Sequence, residues 1–296
     1  MTKYIFIPII LILSNFFVWS NVYSYESSKG TFEMDVLNIG QGDSILIKTP
    51  QNHYGLIDTG RDSKVLSELS QTLPLGRTYL DFVILTHPDA DHIGGIDDIL
   101  ESYRVNALFF NKNIKTNELI EDIKSKIQET NTKNYSIDMQ NDFTLDGISF
   151  DVIWPQDHTK TYTFDNSNDI STSILIKYEG FEILSLGDLP SDFESTSLSD
   201  LLPADVDIDF LKVSHHGSHF STNMDFLSKI KPEYAFISVG AGNSYGHPTE
   251  EVLNNLKSVN STIFRTDEDG RIKLVIKGKV ADINTVETNK TIEIIK

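Results

Sequence analysis

The order of apolar and polar positions along the chain predicts many strands with helices interleaved between them. Apolar runs bounded by turn residues indicate strands, and apolar residues spaced three and four apart indicate amphipathic helices. The predicted strands are TFEMDVLNIG, DSILIKTP, YGLIDTG, LDFVILT, VNALFF, ISFDVIWP, SILIKY, FEILSLGD, VDIDFLKVSHHGS, EYAFISVG, STIFRT and RIKLVIKG. The predicted helices are DSKVLSELSQTL, NELIEDIKSKIQET, MDFLSKI and TEEVLNNLKS.

This alternation, with no linker rich in Pro, Gly or Ser, predicts one α/β domain over residues 25–296. We expect two sheets packed face to face with helices outside, and RIKLVIKG as the last element. GQGD (Gly40 to Asp43) is predicted to be the tight turn between the first two strands. Residues 155–172 are polar and irregular, which is typical of a mobile surface loop.

The first residues follow a different pattern. Lys3 precedes an apolar run from Tyr4 to Trp19, and Val22 and Ser24 occupy positions that signal peptidase favours. We therefore predict a signal peptide over residues 1–24 and a secreted, extracellular protein without stable membrane insertion after cleavage. The alternative is an uncleaved N-terminal membrane anchor, although the run is short against the about 20 residues that span a bilayer.

The charge and the cysteine content restrict the partners and the metal ligands that the chain can use. The chain has 296 residues, a formal net charge of −18 and no cysteine. Such an acidic surface repels nucleic acid and anionic lipid unless bound cations offset it, which argues against tight non-specific DNA binding. Without cysteine, a metal site must use His, Asp and Glu. We expect the scattered basic residues to be ordinary solvated charges: Arg61, Lys64, Arg77, Lys212, Arg265 and Arg271.

The densest group of ligand-type side chains lies in LTHPDADHIGG (85–95), directly after a buried strand. No helix is predicted there. Alternate residues of an extended turn face one side, so His87 and Asp89 could share one ion, and Asp91 and His92 a second ion beside it. Imidazole and carboxylate are the ligands that divalent Zn, Mn or Fe accepts when thiolate is absent. The spacing therefore predicts metal binding.

Three further candidates follow later strands. Asp188 in LSLGDLP is by itself more typical of a turn or helix cap than of a ligand. His215 and His216 in LKVSHHGSHFST are adjacent and must point in different directions, so one suffices as a ligand. The other would hydrogen-bond the substrate or donate a proton. His247 in NSYGHPTEE precedes a helix and is either a capping histidine or a site residue.

Taken in order, LNIGQGDSILI, LIDTG, LTHPDADHIGG, LSLGD, LKVSHHGS, YGHP and TDEDGRIKL resemble the metallo-β-lactamase superfamily. The closer resemblance is to its secreted branch related to the ComEC competence proteins of DNA uptake. It implies a four-layer αβ/βα sandwich, classed α/β (α+β), with a two-metal site at one edge of the sheets. The resemblance implies that His87 and Asp89 bind one metal ion and that Asp91 and His92 bind the other. Asp188 would bind both ions, and His215, or in its place His216, would complete a ligand set. The implied catalytic residues, which contact a phosphoryl oxygen or protonate the leaving group, are His216, or in its place His215, and His247.

The chain departs from the lactam-cleaving and thioester-cleaving branches of that superfamily. Those branches have histidine in place of Asp89, and a further histidine before the bridging carboxylate, where NSNDISTSILIKY offers Asn166, Asn168 and Ser171. One ion is therefore expected to have too few protein ligands. Carboxylate in place of imidazole makes the ligand set harder and more anionic, so the set suits Mn²⁺ as well as Zn²⁺. Hydrolysis of antibiotics is not expected. Asp58 in LIDTG is predicted to be structural, and the roles of Gln41 and Asp43 stay open.

These features predict a secreted hydrolase with two divalent ions, Zn²⁺ or Mn²⁺, that cleaves phosphodiesters of DNA or another polymer. Two ions about 3.5–4 Å apart hold a bridging hydroxide at neutral pH. One alternative is an esterase that removes phosphorylcholine from wall polymers, where Tyr162, Phe164 and Tyr245 could form an aromatic cage. A carboxylic ester or lactone hydrolase and a non-catalytic metal-binding module are further alternatives. The expected partner is a phosphodiester or small ester substrate, nucleic acid included.

Overall fold

The computed structural model describes most of the chain beyond the predicted signal peptide. Described are isolated positions between residues 12 and 26 and residues 29–111, 118–139, 141–156, 166–203 and 206–296. The predicted cleavage site and most of the predicted signal peptide therefore lie outside the described residues, as does the middle of the predicted surface loop, 157–165. Within the described part of the chain, no helix is both long and apolar enough to cross a membrane.

Strands make up the centre of the fold and are numbered here along the chain. They are β1 (Phe32–Val36), β2 (Ile45–Lys48), β3 (Tyr54–Ile57), β4 (Tyr79–Leu80), β5 (Phe82–Leu85), β6 (Arg104–Val105), β7 (Leu108–Phe110), β8 (Asn134–Ser136), β9 (Phe143–Leu145), β10 (Ile148–Trp154), β11 (Ser173–Tyr178), β12 (Phe181–Ser185), β13 (Phe210–Lys212), β14 (Tyr234–Ile237), β15 (Thr262–Arg265), β16 (Ile272–Lys277), β17 (Val280–Thr285) and β18 (Thr291–Ile295).

Helices connect these strands. The α-helices are α1 (Lys64–Thr72), α2 (Ala90–Ile93), α3 (Ile96–Ser102), α4 (Glu118–Glu129), α5 (Ser191–Phe193), α6 (Ser199–Leu201), α7 (Met224–Ile230), α8 (Glu250–Ser258) and α9 (Thr266–Asp269). A π-helical turn, Glu194–Leu198, joins α5 to α6, and 3₁₀ turns cover Ser167–Ile170 and Ser214–Gly217.

The strands form two large sheets. Among the described residues, the first sheet has nine strands in the order β18-β17-β16-β1-β2-β3-β5-β7-β8, and the second has seven in the order β15-β14-β13-β12-β11-β10-β9. In the first sheet β3, β5, β7 and β8 run parallel, and in the second β12 to β15 run parallel. Loops at the carboxyl ends of these parallel strands carry most of the chemistry-bearing residues.

Two buried faces explain the continuous apolar runs in the sequence. In β5, Phe82 and Ile84 pack in the layer between the sheets, whereas Val83 and Leu85 pack in the layer against the helices. Helices α1, α3 and α4 cover the outer face of the first sheet, and α7 and α8 cover that of the second. This order of helix, sheet, sheet and helix confirms the predicted four-layer αβ/βα sandwich.

Two sequence-based expectations about the elements are wrong. RIKLVIKG, which becomes β16, does not close the chain, because β17 and β18 continue the first sheet as an antiparallel meander. β17 buries only the alternate residues Ala281, Ile283 and Thr285, and two of these three side chains are small or polar, so its apolar signal is weak. The second error is the extended turn predicted over Asp91 and His92, which is the short helix α2.

Candidate metal centre

The loops after three strands bring the candidate metal ligands together at one edge of the two sheets. His87 and Asp89 follow β5 directly, and the short helix α2 presents Asp91 and His92. Asp188 follows β12, and His215 and His216 lie in the 3₁₀ turn after β13. The strand ends fix where each loop starts, which is why motifs scattered over the chain meet here.

The position of helix α2 is fixed by close packing of its backbone against neighbouring loops. The Cα of Gly42 approaches the helix so closely that an added Cβ would lie 2.1 Å from the carbonyl oxygen of Asp91, at a φ of +129°. Gly94 is equally confined, since a Cβ there would lie 2.3 Å from the carbonyl oxygen of Arg61. Asp43 N also donates to Asp91 O at 3.1 Å. The GQGD turn therefore supports the helix that carries two candidate ligands.

Asp188 occupies the middle of the cluster. Its Oδ1 lies 3.1 Å from His92 Nε2, and its Oδ2 lies 3.9 Å from His87 Nε2. The same Oδ2 is 3.7 Å from Nε2 of both His215 and His216. One carboxylate thus stands between imidazoles that come from the segments after β5 and β13, which is the position a bridging ligand needs.

Unsatisfied polar atoms show that these residues fit a cation. The atoms His87 Nε2, His92 Nε2, His216 Nε2 and Asp188 Oδ1 are buried and have no hydrogen-bond partner among the described residues. Buried polar groups are nearly always satisfied in proteins, so four such atoms in one place need a common partner. Ligand atoms lie within 4.8 Å of one another in the sets His87–His92–Asp188, Asp91–His92–His216, Asp43–Asp188–His216 and Asp43–Asp58–His92.

Asp58 orients one of these imidazoles. Its Oδ2 accepts from His92 Nδ1 at 2.7 Å and from Thr86 Oγ1 at 2.6 Å, and its Oδ1 accepts from Thr86 N at 2.8 Å. The bond to Nδ1 leaves Nε2 of His92 as the nitrogen with a free lone pair, as in metal-bound histidines. The residue predicted to be structural is thus in direct contact with a candidate ligand.

His216 is held in a similar way by a backbone carbonyl. Its Nδ1 lies 2.9 Å from Ser238 O and 3.3 Å from Asp43 Oδ1. Asp43 in turn accepts from Lys212 Nζ at 2.6 Å through its other oxygen. Lys212 is fully buried, so the expectation that it is a solvated charge is wrong. The side chain of Arg77 is also buried, in a 2.6 Å ion pair with Asp81.

Burial and neighbouring charges set the protonation of the cluster. Burial lowers the pKa of His87 to about 4, and the nearby His92 adds to this effect. Burial also opposes protonation of His216, but Asp188 and Asp43 outweigh it and raise the pKa of that histidine to about 9. Burial disfavours the carboxylate of Asp188, yet His92 and His216 hold its pKa well below the usual range. A cation bound here would therefore displace the proton of His216.

The two adjacent histidines differ in exposure. Both have positive φ, 49° and 53°, which turns their side chains in different directions. The side chain of His216 is 1% exposed, and that of His215 is 25% exposed. Among the described residues, no ligand set within 4.8 Å includes His215. The choice of His215 as ligand and His216 as catalytic residue stays a prediction, and the geometry favours the exchanged roles.

His247 lies on the exposed side of the cluster, next to His215. The ring centroids of the two residues are 5.7 Å apart, and the ring of Tyr245 stacks on His247 at 5.8 Å. Burial lowers the pKa of His247 to about 4, and His215 and His216 add to the shift. The Nδ1 of His247 has no hydrogen-bond partner in the described chain. The imidazole is therefore neutral at pH 7 and positioned to contact a substrate.

Asp89 is less enclosed than the other candidate ligands. Its side chain is 39% exposed, its Oδ2 lies 3.9 Å from His87 Nε2, and its Oδ1 accepts from Ser167 Oγ at 2.5 Å. Ser167 was not among the polar residues singled out in its segment. Its only sequence signal is its place between two asparagines in NSND. Asp89 and Ser167 together form the wall of the site beside His87.

The sequence of this chain is similar to those of known proteins. Residues 37–109 match the family model of the Metallo-beta-lactamase superfamily. ComE operon protein 3 of Bacillus subtilis is 29% identical over 290 residues, covering 92% of this chain and 36% of that protein. Recombination protein 2 of Haemophilus influenzae is 30% identical over 252 residues, covering 83% of this chain and 29% of that protein. The chain thus spans about a third of the length of these curated relatives.

Solved structures share the fold at low sequence identity. The metallo-beta-lactamase fold protein YhfI from Bacillus subtilis superposes with a TM-score of 0.55 at 14% identity, covering 79% of this chain and 95% of that chain. An identity this low shows the shared fold and nothing finer.

Proposed function

The chain belongs to the metallo-β-lactamase superfamily, in the branch of the competence proteins, and from that premise we propose that it is a dinuclear-metal-dependent phosphodiesterase. The fold and the family are those of metal-dependent hydrolases in general. The observation that carries the finer proposal is the position of Asp188, whose carboxylate lies within 4 Å of four histidine Nε2 atoms. A single carboxylate shared in this way fits two cations rather than one.

We assign the ligands as follows. His87 and Asp89 would hold one ion, Asp91, His92 and His216 would hold the other, and Asp188 would be shared between them. A pair of divalent cations bound there supplies water of lowered pKa as nucleophile and positive charge to balance the phosphoryl oxygens. Zn²⁺ and Mn²⁺ both suit this set of imidazoles and carboxylates.

His215 and His247 remain for the substrate. In the free protein the imidazole of His247 is neutral, so a ring N–H is available to donate a hydrogen bond to a phosphoryl oxygen. An anionic phosphodiester placed between His215 and His247 would raise the pKa of both rings, because negative charge stabilises imidazolium. Proton donation to the leaving group then becomes available when the substrate is bound.

The rim of the site favours an extended anionic substrate. Arg61 Nη2 donates to Tyr245 Oη at 3.4 Å, which joins the loop after β3 to the loop after β14 across the mouth. Tyr245 is 56% exposed and presents its ring beside His247. A guanidinium next to an open aromatic face suits a nucleotide chain, whose phosphate and base it would contact. Of the three aromatic residues considered for a choline cage, Tyr162 and Phe164 lie outside the described residues.

An activity screen tests the proposal. Mn-loaded and Zn-loaded protein is incubated with bis-p-nitrophenyl phosphate, a single-stranded oligonucleotide, a phosphorylcholine ester and a carboxylic ester, with His87→Ala as control. We expect cleavage of the phosphodiesters and loss of that activity in His87→Ala. Folded, metal-loaded protein that is inert on both phosphodiesters would contradict the proposal. Turnover of the choline ester or the carboxylic ester alone would support the corresponding alternative enzyme instead.

Export is part of the same proposal. We propose that residues 1–24 direct the chain out of the cell and that the domain acts on an extracellular substrate. Expression of the full chain in a secreting host, followed by mass determination of the protein in the medium, tests this. A mature N-terminus at Tyr25 is expected, and an intact N-terminus in the membrane fraction would favour the anchor instead.

A further inference from the structure

The two ions of the proposed function do not have equal protein ligand sets. His92, Asp91 and His216 share one ion with Asp188, which gives four protein ligands. The ion of His87 has Asp188 and Asp89 only, and both carboxylates lie 3.9 Å from His87 Nε2. We therefore expect a fourth protein ligand for this second ion among the residues that surround His87.

The 3₁₀ turn Ser167–Ile170 lies beside this incomplete position. At one end, Ser167 Oγ donates to Asp89 Oδ1 at 2.5 Å. Just beyond the other end, Ser171 Oγ accepts from Asp188 N at 3.0 Å. The turn thus runs from one candidate ligand of the His87 ion to the other.

Asn168 lies between these two contacts and is 6% exposed. Its backbone is satisfied, since its N–H donates to Asn166 Oδ1 at 3.3 Å and its carbonyl accepts from Ser171 N at 3.0 Å. Its side-chain Oδ1 is buried and has no hydrogen-bond partner in the described part of the chain. Because a buried amide oxygen is almost always paired, this atom is available as a ligand.

We propose that Asn168 Oδ1 is a ligand of the ion held by His87 and Asp89. The inference rests on the two-cation site of the proposed function and adds a residue to it. This ion then has one nitrogen and three oxygen ligands, whereas the other has two of each. The oxygen-rich position should favour Mn²⁺ over Zn²⁺ more strongly than its neighbour does.

Calorimetric titration of metal-free protein with Mn²⁺ and with Zn²⁺ tests the assignment. The wild type should bind two ions. Asn168→Ala should keep the ion of His92 and His216 but bind the other at least about tenfold more weakly. Asn168→Asp should keep both, since a carboxylate oxygen replaces the amide oxygen, and Asn168→His should keep both and shift preference towards Zn²⁺. The matched control is Asn166→Ser, which keeps an oxygen acceptor at the start of the turn.

Spectroscopy gives a second readout. In Mn-loaded wild type the two ions should give the electron paramagnetic resonance signal of a coupled pair, and Asn168→Ala should show an isolated ion at the same metal concentration. Wild-type affinity for both ions in Asn168→Ala would overturn the inference. A wild type that binds one ion only, or an Asn168→His protein with unchanged metal preference, would overturn it as well.

These outcomes are separable from those of the proposed function, because no readout depends on turnover. Protein that is inert on phosphodiesters but loses one ion in Asn168→Ala contradicts the phosphodiesterase and supports the ligand assignment. Active protein with unchanged metal binding in Asn168→Ala does the reverse. If Asn168→Ala does not fold by circular dichroism, the metal preference of Asn168→His decides.

Discussion

His92 Nδ1 is 2.7 Å from Asp58 Oδ2, while Nε2 of the same ring lies 3.1 Å from Asp188 Oδ1. One imidazole thus connects a carboxylate buried behind the site to the carboxylate at its centre. Asp58 is itself fixed by two donors from Thr86, the residue before His87. The two histidines of the LTHPDADHIGG stretch are therefore positioned through one shared hydrogen-bond network.

Asp58→Asn is expected to weaken metal binding. The substitution places an amide NH₂, which is a donor, against donors from Thr86 or His92. The imidazole of His92 then loses the acceptor that fixes its tautomer and orientation. Loss of such a partner lowers metal affinity about 10- to 100-fold. Titration with Zn²⁺ measures the change, and Asp62→Asn, on the exposed loop nearby, is the control. Equal affinities for the two variants would show that Asp58 has no role in orienting the ligand.

The two adjacent histidines should respond differently to alanine. His216→Ala removes a buried ligand and is expected to lower metal content and activity together. His215→Ala should keep two ions and lower kcat, because the removed imidazole faces the substrate. Metal analysis after gel filtration, with kinetics on bis-p-nitrophenyl phosphate, separates the two effects. The reverse result, in which His215→Ala loses an ion and His216→Ala keeps both, would restore the original assignment of roles.

The buried ion pair beneath His216 should matter for stability. Lys212→Met leaves the carboxylate of Asp43 buried without its 2.6 Å partner. Breaking one side of a buried pair costs about 3–5 kcal/mol of unfolding free energy. Urea unfolding of the metal-free protein measures this loss, and the double variant Lys212→Met, Asp43→Asn should recover most of it. Lys277→Met, at an exposed position, is the control. If Lys212→Met loses no more unfolding free energy than Lys277→Met does, the buried pair does not stabilise the fold.

Glu194 should give the fold a pH-dependent stability. Burial raises the pKa of this carboxyl from 4.5 to about 8, although Thr222 N donates to it at 2.6 Å. Between these values the folded protein holds a proton that the unfolded chain releases, so the unfolding free energy falls as pH rises through the window. The slope is at most roughly 1.4 kcal/mol per pH unit.

Glu194→Gln removes that proton and should flatten the profile. We expect the variant to gain stability relative to wild type between pH 5 and pH 8, measured by urea unfolding at intervals of about one pH unit. Glu233→Gln, an exposed counterpart, should follow the wild type. A difference between Glu194→Gln and wild type that does not change with pH would mean that Glu194 is ionised in the folded protein.

The sequence predicted the two packed sheets from short-range patterns, whereas the convergence of the ligands followed from the resemblance of the ordered motifs to the metallo-β-lactamase superfamily. Buried strands such as FVIL are apolar on both faces, and the loop at the end of each strand starts from a fixed place. The patterns placed His87, Asp188 and the histidine pair at the ends of buried strands, and the resemblance implied that these strand ends meet.

What the sequence did not reveal depends on backbone detail and on distant contacts. The exposure of His215 and His216 is decided by two successive residues at positive φ, which no residue type in SHHG requires. The burial of Lys212 depends on Asp43, 169 positions earlier in the chain. Ser238 holds His216 through its backbone carbonyl, which leaves no trace in residue identity.

The most direct test is anomalous diffraction from crystals of the Mn-loaded or Zn-loaded protein. We predict two anomalous peaks about 3.5–4 Å apart, one on each side of the carboxylate of Asp188, with His87 beside one and His92 and His216 beside the other. A single peak, or peaks away from Asp188 in fully loaded protein, would contradict the dinuclear site and the phosphodiesterase built on it.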